Sequence, residues 1–284
     1  MRFGLIGTGF WADVAHAAGL VAHPDVELAG IWGRDATKAQ ALAAKHGASA
    51  YGDAEELFAA VDAVAFSVPP DVQADLAPRA AAAGCALLLE KPLALSVEAA
   101  ERVVEAADAA GVATAVFFTG RFAPTTAAWV AQVEGGAWDG GSVRLLANIL
   151  GEGNPFGASP WRHERGALWD VGPHALAPLL PTLGPVEHVT GVRGPRDTVH
   201  LALRHAGGGA STVTLSLTAP PAAAGAETLL WGRDGIARMP DADELEVAYA
   251  AAIDAVRSGG HACDARFGLE VVRVLAAAEA ALDL

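Results

Sequence analysis

The sequence predicts an α/β domain with a doubly wound parallel sheet, followed by an α+β domain with an open, mainly antiparallel sheet. Up to about residue 118, short apolar runs alternate with longer helical stretches, a pattern typical of parallel strands that are buried on both faces. A glycine motif follows the first apolar run. Beyond residue 118, longer strand patterns are joined by glycine-rich turns, which is typical of antiparallel sheets.

Length and composition indicate two domains and exclude two classes of partner. The chain has 284 residues, of which 52% are hydrophobic and 18% are charged, enough for two packed cores. We predict a first domain over 1–120 and a second over 121–284, and leave open whether the last helices pack back on the first domain. The net charge of −14 argues against nucleic acid and membrane partners, because both require clustered Lys and Arg.

Cysteine usage and the first residues indicate a cytoplasmic protein. The two cysteines are Cys85, in an apolar run, and Cys263, and they do not predict a disulfide framework. The chain enters a predicted strand at Arg2, so we expect no cleavable leader. No apolar run reaches the ~20 residues that span a bilayer.

The first half is predicted as strands that alternate with alanine-rich helices. The predicted strands are 2–6, 26–32, 62–68, 85–90 and 112–118, and the predicted helices are 36–46, 72–83 and 96–110. Ser96 is suited to start the last of these helices because its hydroxyl can accept a bond from a free amide of the first turn.

The second half is predicted mainly as strands. A helix is expected at 125–133, strands at 142–150, 186–192, 198–205, 210–217 and 226–231, and helices at 245–256 and 267–282. The glycine-rich segment 205–209 predicts a hairpin. Polar and apolar residues alternate along 198–203 and 212–217, which predicts a sheet with one buried face and one exposed or interfacial face.

A glycine turn follows the first predicted strand. Gly7, Gly9 and Ala12 fit the pattern G-x-G-x-x-G/A between a strand and a helix, which is typical of Rossmann dinucleotide sites. Gly7 permits the tight turn, and Gly9 lets the backbone approach a pyrophosphate at the helix N-terminus. A glycine turn without a ligand is the alternative. The cofactor residues predicted in this turn are Gly7, Thr8, Gly9, Phe10 and Trp11.

The end of the second strand distinguishes the two nicotinamide cofactors. An acidic residue there binds the ribose 2′-hydroxyl of NAD, whereas an arginine accommodates the 2′-phosphate of NADP. Arg34 and Lys38 lie one helical turn apart and can reach the same phosphate, so we favour NADP. Asp35 keeps NAD possible as a ribose ligand, or it caps the next helix.

Two further motifs supply side chains that can donate or accept protons. Glu90-Lys91-Pro92 follows a strand of the first domain, which places Lys91 at the carboxyl edge of the sheet, where ligands of such folds bind. In the second domain, Asp170 and His174 are separated by Val-Gly-Pro. Pro173 suits the first position of a helix, which predicts Asp170 just before that helix and His174 in its first turn. A solvated lysine and a structural histidine are the alternatives to a catalytic role.

These motifs, in this order, resemble the Gfo/Idh/MocA oxidoreductase family, which includes glucose-fructose oxidoreductase and inositol dehydrogenase. The resemblance covers essentially the whole chain and includes 67–70, 121–122, 161–162 and 166–170. It implies that Lys91 lies near the nicotinamide and the substrate, and that Asp170 and His174 are the family's second-domain pair. It adds Ser67, Pro69, Glu90 and Lys91 to the cofactor site. Arg34 with Lys38 is similar to NADP-preferring members such as the dimeric dihydrodiol dehydrogenases.

Physical chemistry supports these catalytic roles. Oxidation of a secondary alcohol releases a hydride and the hydroxyl proton, and a histidine such as His174 can accept that proton. Lys91 can donate to the same oxygen and stabilise its developing negative charge. Asp170 would orient His174 or bind a substrate hydroxyl.

The sequence departs from the family pattern around the substrate pocket. Ala177 stands where relatives often have aspartate, and Pro178 and Pro181 follow it, so we expect a shortened or kinked helix. Gln73 or a neighbour replaces a frequent histidine. Loops of the second domain are also short.

Polar and aromatic residues predict a polyhydroxylated small-molecule substrate, although they also fit a carboxylate. The candidate substrate residues are Arg121, Asn148, Trp161 and Arg162, with Asn154 and His163 nearby in the sequence. The histidines are scattered, so no metal is predicted.

We therefore predict an NAD(P)-dependent oxidoreductase that acts on a sugar, a polyol or a related hydroxy or carbonyl compound, with NADP favoured. One alternative is a cofactor-binding regulator without turnover, which has no need of Lys91, Asp170 and His174. Another is elimination or hydrolysis with a retained cofactor. The resemblance implies that second-domain sheets pair face to face, so we expect a homodimer or homotetramer.

Overall fold

The computed structural model describes residues 1–282 as two compact units. The first unit contains Met1–Ala123 and Asp243–Glu270, and the second contains Pro124–Ala242 and the residues from Val271 onward. As domain borders, 1–120 and 121–284 stay a prediction.

The first unit is built on a parallel sheet. Within residues 1–282 this sheet has six strands in the order β3-β2-β1-β4-β5-β6, and every neighbouring pair is parallel. The strands are β1 (Arg2–Ile6), β2 (Glu27–Trp32), β3 (Ser49–Ala50), β4 (Ala63–Phe66), β5 (Ala86–Leu89) and β6 (Thr114–Val116). All residues of β4 and β5 are buried, because helices cover both faces of such a sheet. The predicted doubly wound fold is confirmed.

Helices connect these strands. They are a π-helix (Ala12–Ala17) that runs into α1 (Ala18–Ala22), then α2 (Ala36–His46), α3 (Ala54–Phe58), α4 (Pro70–Ala82), α5 (Val97–Ala110) and α6 (Thr119–Phe122). Ser96 caps α5 as predicted, since its hydroxyl accepts a bond from the amide of Ala99 at 3.2 Å. α10 (Leu245–Arg257) and the start of α11 (Ala265–Leu282) also belong to this unit.

Several predicted strands of this unit were too long. The segment predicted as 112–118 is a strand over Thr114–Val116, and 62–68 is a strand over Ala63–Phe66. Apolar side chains continue beyond the last residue that pairs with a neighbouring strand, so composition overestimates the strand length. β3 and α3 were not predicted, because two and five residues are too few to establish a period.

The second unit contains a mainly antiparallel sheet, which confirms the predicted fold class. Within the described residues its order is β12-β11-β7-β10-β9-β8, with β7 and β10 parallel and the other pairs antiparallel. The strands are β7 (Trp138–Leu146), β8 (Val186–Arg193), β9 (Val199–His205), β10 (Ala210–Ser216), β11 (Gly225–Gly232) and β12 (Gly235–Arg238).

The predicted strand 142–150 was wrong in its bounds, because β7 begins four residues earlier, at Trp138, and ends at Leu146. Gly140 and Gly141 concealed its start, since glycine has low strand propensity, but both pair with β10 and β11. β12 was not predicted. The hairpin at 205–209 is confirmed, because the amide of His205 donates to the carbonyl of Gly209 at 2.9 Å.

One face of this sheet is exposed. Buried and exposed residues alternate strictly along β9, as the polar–apolar alternation predicts. The exposed face also carries large apolar side chains at three positions. They are Val192 on β8 (65% exposed), Trp231 on β11 (40%) and Ile236 on β12 (74%).

The second unit contains one helix that the sequence did not predict and one that it expected to begin at Pro173. In addition to α7 (Pro124–Val133), it has α8 (Pro160–Asp170) and α9 (Gly172–Leu183). α9 is the helix expected at Pro173. Pro178 and Pro181 do not shorten it, because the helix continues through both to Leu183. The kink, the other expected effect, stays a prediction. Each interior proline costs about 3 kcal/mol, but α9 is buried along almost its whole length, and this packing maintains the helix.

Over residues 1–282, none of the helices combines the length and the apolar character needed to cross a membrane.

Candidate active site

The glycine turn after β1 contains two glycines with different surroundings. Gly7 has φ 134°, and a Cβ at this position would lie 2.2 Å from the carbonyl oxygen of Ser67. The protein itself therefore requires glycine at position 7. A Cβ on Gly9 would have no atom within 4 Å, so the space at Gly9 is open. That open space beside a helix start suits a pyrophosphate.

The turn lies against the ends of two neighbouring strands. The amide of Gly7 donates to the carbonyl of Trp32 at 2.9 Å, and a Cβ on Gly33 would lie 2.6 Å from Cγ2 of Thr8. Together with the Ser67 contact, this brings Gly7, Thr8 and Ser67 to one edge of the sheet, next to Arg34. The side chain of Phe10 is half exposed at the same turn.

Arg34 and Asp35 have different environments after β2. The Asp35 carboxylate caps α2 by accepting the amide of Lys38 at 3.1 Å, and its other oxygen lies 3.9 Å from Nζ of Lys38. Arg34 is exposed, and within the described residues 1–282 it has no hydrogen bond or ion pair. Asp35 therefore has the capping role that the sequence offered as the alternative to binding the ribose.

A largely buried carboxylate connects the helix after the glycine turn to the end of β5. Oε1 of Glu90 accepts hydrogen bonds from Nε1 of Trp11 at 2.7 Å and from Nε2 of His16 at 2.9 Å. Its Oε2 accepts the amide of Lys91 at 3.2 Å. Trp11 precedes the π-helix and His16 lies within it. Glu90 therefore joins the helix after the glycine turn to the Lys91 segment.

Sequence reasoning missed His16 and Tyr249. His16 is fully buried, and the hydroxyl of Tyr249 lies 2.9 Å from its Nδ1. The Tyr249 ring also contacts Phe117 edge to face, with ring centroids 5.2 Å apart. His16 has a weak signal, as a polar residue in an apolar helix, but Tyr249 lies 233 residues further along the chain and has no local signal.

Charges in this network shift two pKa values. Burial alone would raise the pKa of Glu90, but the hydrogen bond and charge of His16, the charge of Lys91 and the Trp11 bond together lower it below its ordinary value. Burial, together with the charge of Glu90, raises the pKa of Tyr249 well above its ordinary value. Glu90 is therefore the anion of the network, and Tyr249 stays protonated.

Two other predicted residues lie in the first unit. Lys91 is partly buried directly after β5, and its peptide bond to Pro92 is cis. The guanidinium of Arg121 lies over the ring of Phe267 at 5.5 Å. Next to it in the chain, Phe122 stacks on His261 with centroids 4.3 Å apart.

In the second unit, the structure brings Asp170 and Arg162 together. Nε of Arg162 donates to Oδ2 of Asp170 at 2.9 Å, and both side chains are largely buried. The guanidinium also lies over the rings of Trp161, at 4.8 Å, and Phe156, at 5.3 Å. Asp170 is therefore held by an arginine, a contact that the sequence did not predict.

The other predicted residues of the second unit lie where α8 ends and α9 begins, near the start of α8, and in the loop before α8. Asp170 is the last residue of α8, and His174 lies in the first turn of α9, as predicted. Pro173 is the second residue of α9 rather than the first. In the loop before α8, the carbonyl of Asn148 accepts the side-chain amide of Asn154 at 3.1 Å. His163 lies 2.6 Å from the carbonyl of Gly157.

No group of three or more His, Cys, Asp or Glu side chains in residues 1–282 is arranged to hold a metal ion.

Comparisons with known proteins identify the fold of the first unit. Residues 1–118 match the model of the Gfo/Idh/MocA family, an oxidoreductase family with an NAD-binding Rossmann fold. Over these 118 residues, the resemblance that the motifs predicted is confirmed. The Gfo/Idh/MocA segment contains the glycine turn, the Arg34 segment, Glu90 and Lys91.

Similar proteins include two dehydrogenases. The chain is 31% identical over 190 residues to a D-glucoside 3-dehydrogenase of Escherichia coli, covering 65% of this chain and 54% of that protein. It is 32% identical over 196 residues to D-xylose 1-dehydrogenase (NADP(+)) 2 of Haloferax volcanii, covering 66% and 59%. The aligned part thus spans about half the length of these curated relatives.

Solved structures share the fold over the whole chain. GenD2 from gentamicin A biosynthesis, in complex with NAD, has a TM-score of 0.85 at 22% identity, covering 100% of this chain and 94% of that chain. The WlbA dehydrogenase from Bordetella pertussis, in complex with NADH and UDP-GlcNAcA, has a TM-score of 0.84 at 24% identity, covering 100% and 96%. At these identities the likeness shows the fold alone.

The two turn glycines make a first testable pair. We expect Gly9→Val to abolish dinucleotide binding without lowering the melting temperature, because its side chain fills only the open space of the site. Gly52→Val is the matched control, since a Cβ there also meets nothing. Gly7→Ala is expected to destabilise the fold through the clash with Ser67. Fluorescence titration with NADPH and thermal unfolding measure both effects. NADPH binding that survives in Gly9→Val would contradict the assignment of the turn.

The lowered pKa of Glu90 predicts a pH-dependent contribution to stability. A carboxylate whose pKa is lower in the folded state stabilises the fold above its ordinary pKa, and loses this effect as the pH falls. We expect Glu90→Gln to reduce the free energy of unfolding by about 2 kcal/mol near neutral pH. The difference from the parent should shrink at about pH 4. Urea unfolding at both pH values measures it, and a difference independent of pH would contradict the assignment.

Proposed function

We propose that this chain is an NADP-dependent oxidoreductase that acts on a CH–OH group of a sugar, a polyol or a related hydroxy or carbonyl compound. The observation that carries the proposal is the glycine turn, open at Gly9 and fixed through Glu90 to the segment that holds Lys91. The names of the two curated relatives support sugars as substrates.

Each predicted catalytic residue has a role that suits this chemistry. The nicotinamide, when bound, accepts or donates the hydride. Lys91 donates a hydrogen bond to the reacting oxygen and stabilises negative charge on it. His174 accepts the hydroxyl proton in the oxidation direction. Asp170, which pairs with Arg162, orients His174 or binds a substrate hydroxyl. These roles stay predictions.

The preference for NADP rests on the contrast between Arg34 and Asp35. Asp35 is engaged as the cap of α2, which leaves the exposed Arg34 and the neighbouring Lys38 to bind a 2′-phosphate. In a chain with a net charge of −14, binding of this phosphate depends on such local cations.

We expect Arg34→Ala to weaken NADP binding about 10-fold or more, because charge-assisted bonds to phosphate are strong, and to leave NAD binding nearly unchanged. Arg233→Ala, a change to another arginine outside the Gfo/Idh/MocA segment, serves as the control. Titration of both variants with both cofactors measures the effect. Equal losses for NADP and NAD, or tighter NAD binding by the parent, would overturn the preference.

Turnover tests the proposed activity. The parent is screened for NADP reduction with methyl glucoside, D-xylose and myo-inositol, and for NADPH oxidation with the corresponding carbonyl compounds. With the active substrate, we expect Lys91→Ala and His174→Ala to lose about 100-fold or more in kcat and to keep the parental Kd for NADPH. Near-parental rates in both variants would overturn the catalytic assignment.

The same screen separates the alternatives. Product formed without a net change in NADPH would indicate elimination or hydrolysis with a retained cofactor. Cofactor binding without turnover of any compound would favour a regulator. The cytoplasmic location stays a prediction from the sequence.

We further propose that the exposed sheet face of the second unit pairs with a second copy of the chain. Val192, Trp231 and Ile236 place exposed apolar side chains on this face, and Trp231 and Ile236 are neighbours across β11 and β12. Exposed apolar patches are typical of interaction sites. A two-fold dimer is the simplest closed assembly, and a tetramer is the larger alternative.

Light scattering after size exclusion tests the assembly. We expect a mass of two or four times the 28.8 kDa of the chain at micromolar concentration, and a shift toward monomer in Trp231→Glu combined with Ile236→Glu. Val247→Glu, at an exposed apolar residue of the first unit, is the control. A parent that elutes as a single 28.8 kDa species would reject the proposal.

A further inference from the structure

A buried amide side chain binds the backbone on both sides of Lys91. Gln73 lies in the first turns of α4 and is fully buried. Its Oε1 accepts the backbone amide of Glu90 at 2.8 Å, and its Nε2 donates to the carbonyl of Glu90 at 2.8 Å. Nε2 also reaches the carbonyls of Leu93 at 3.1 Å and Pro92 at 3.4 Å.

These bonds occur just beyond the end of β5, where neighbouring strands no longer supply hydrogen-bond partners. β5 ends at Leu89, so the backbone groups of Glu90 lie just beyond the strand's last residue. Gln73 pairs with both of them, as a neighbouring strand would, and holds the chain again at Leu93. Lys91 lies between the two fixed points, and its own amide donates to the Glu90 carboxylate. The backbone on either side of the lysine is therefore held by two side chains, Gln73 and Glu90.

We propose that Gln73 is a positioning residue that fixes the direction of Lys91 toward the reacting atoms. The proposal rests on the proposed function, because it gives Lys91 a catalytic oxygen to reach. An amide suits this task because it is uncharged and supplies both an acceptor for the Glu90 amide and donors for the carbonyls. A side chain without these groups would leave several buried backbone groups without their bonds.

The first readout separates positioning from binding. In Gln73→Met, which keeps the approximate shape and loses every amide bond, we expect kcat to fall about 10- to 100-fold, because a displacement of about 1 Å in a catalytic group has effects of this size. The KM for substrate and the Kd for NADPH should stay within about twofold, since the glycine turn is unchanged. Gln73→His keeps one donor and one acceptor, and is expected to recover most of kcat.

The second readout observes Lys91 without any turnover. The chain has three lysines, Lys38, Lys45 and Lys91, so reductive methylation with ¹³C-formaldehyde labels only these side chains and the terminal amine. The Lys91 signal is assigned by its loss in Lys91→Arg. In Gln73→Met, we expect the Lys91 signal to move or broaden and those of Lys38 and Lys45 to keep their positions. In Gln73→His, the Lys91 signal should return toward its parental position.

The controls make each outcome decisive. Gln40→Met changes an exposed glutamine of α2 in the same unit and should alter neither kcat nor any lysine signal. A folded Gln73→Met with parental kcat, or with an unchanged Lys91 signal, overturns the proposal. If Gln73→Met does not fold, Gln73→Glu replaces it, because the carboxylate keeps the shape and the acceptor and loses the donors. A parent that turns over none of the probe compounds contradicts the proposed function, and the Lys91 signal still tests Gln73.

Discussion

The Glu90 carboxylate is the interaction on which the arrangement of the first unit depends. It accepts bonds from Trp11 and His16 beside the glycine turn, and from the amide of Lys91 at the end of β5. A buried charge is tolerated only when it is paired and hydrogen-bonded, and these three donors meet that requirement. The anion thereby joins the helix after the glycine turn to the Lys91 segment. In the proposed function, this link sets the position of the lysine relative to a cofactor on the turn.

Around this anion, uncharged side chains hold the backbone at the end of β5 and the ring of His16. Gln73 supports the strand end, and Tyr249 supports His16 from the opposite ring nitrogen. Neither adds a formal charge close to Glu90. A second carboxylate in this space would raise the pKa of both acids by mutual repulsion, and would weaken the network. Because the side chains at positions 73 and 249 are polar but neutral, they hold their neighbours without adding a charge close to Glu90.

The sequence predicted the fold class and the residues of the glycine turn because both depend on local signals. Glycines between a strand and a helix, and buried strands without alternation, can be recognised from about ten consecutive residues. α8 was missed because Gly166 interrupts its period, and the length of α9 was underestimated because two prolines lie inside it. The His16–Tyr249 contact and the Asp170–Arg162 pair depend on tertiary packing. Gln73 was noticed only as a departure from the family pattern, and its bonds to 90–93 required the structure.

The unequal surroundings of Gly7 and Gly9 have a consequence for cells that carry variants of this protein. A side chain at Gly7 meets the backbone of Ser67, so the variant would be depleted by quality control, as destabilised proteins are. A side chain at Gly9 meets nothing, so an inactive protein would accumulate at normal abundance. Variants at two neighbouring glycines would therefore differ in protein level, and only the Gly9 variant would accumulate as a folded protein.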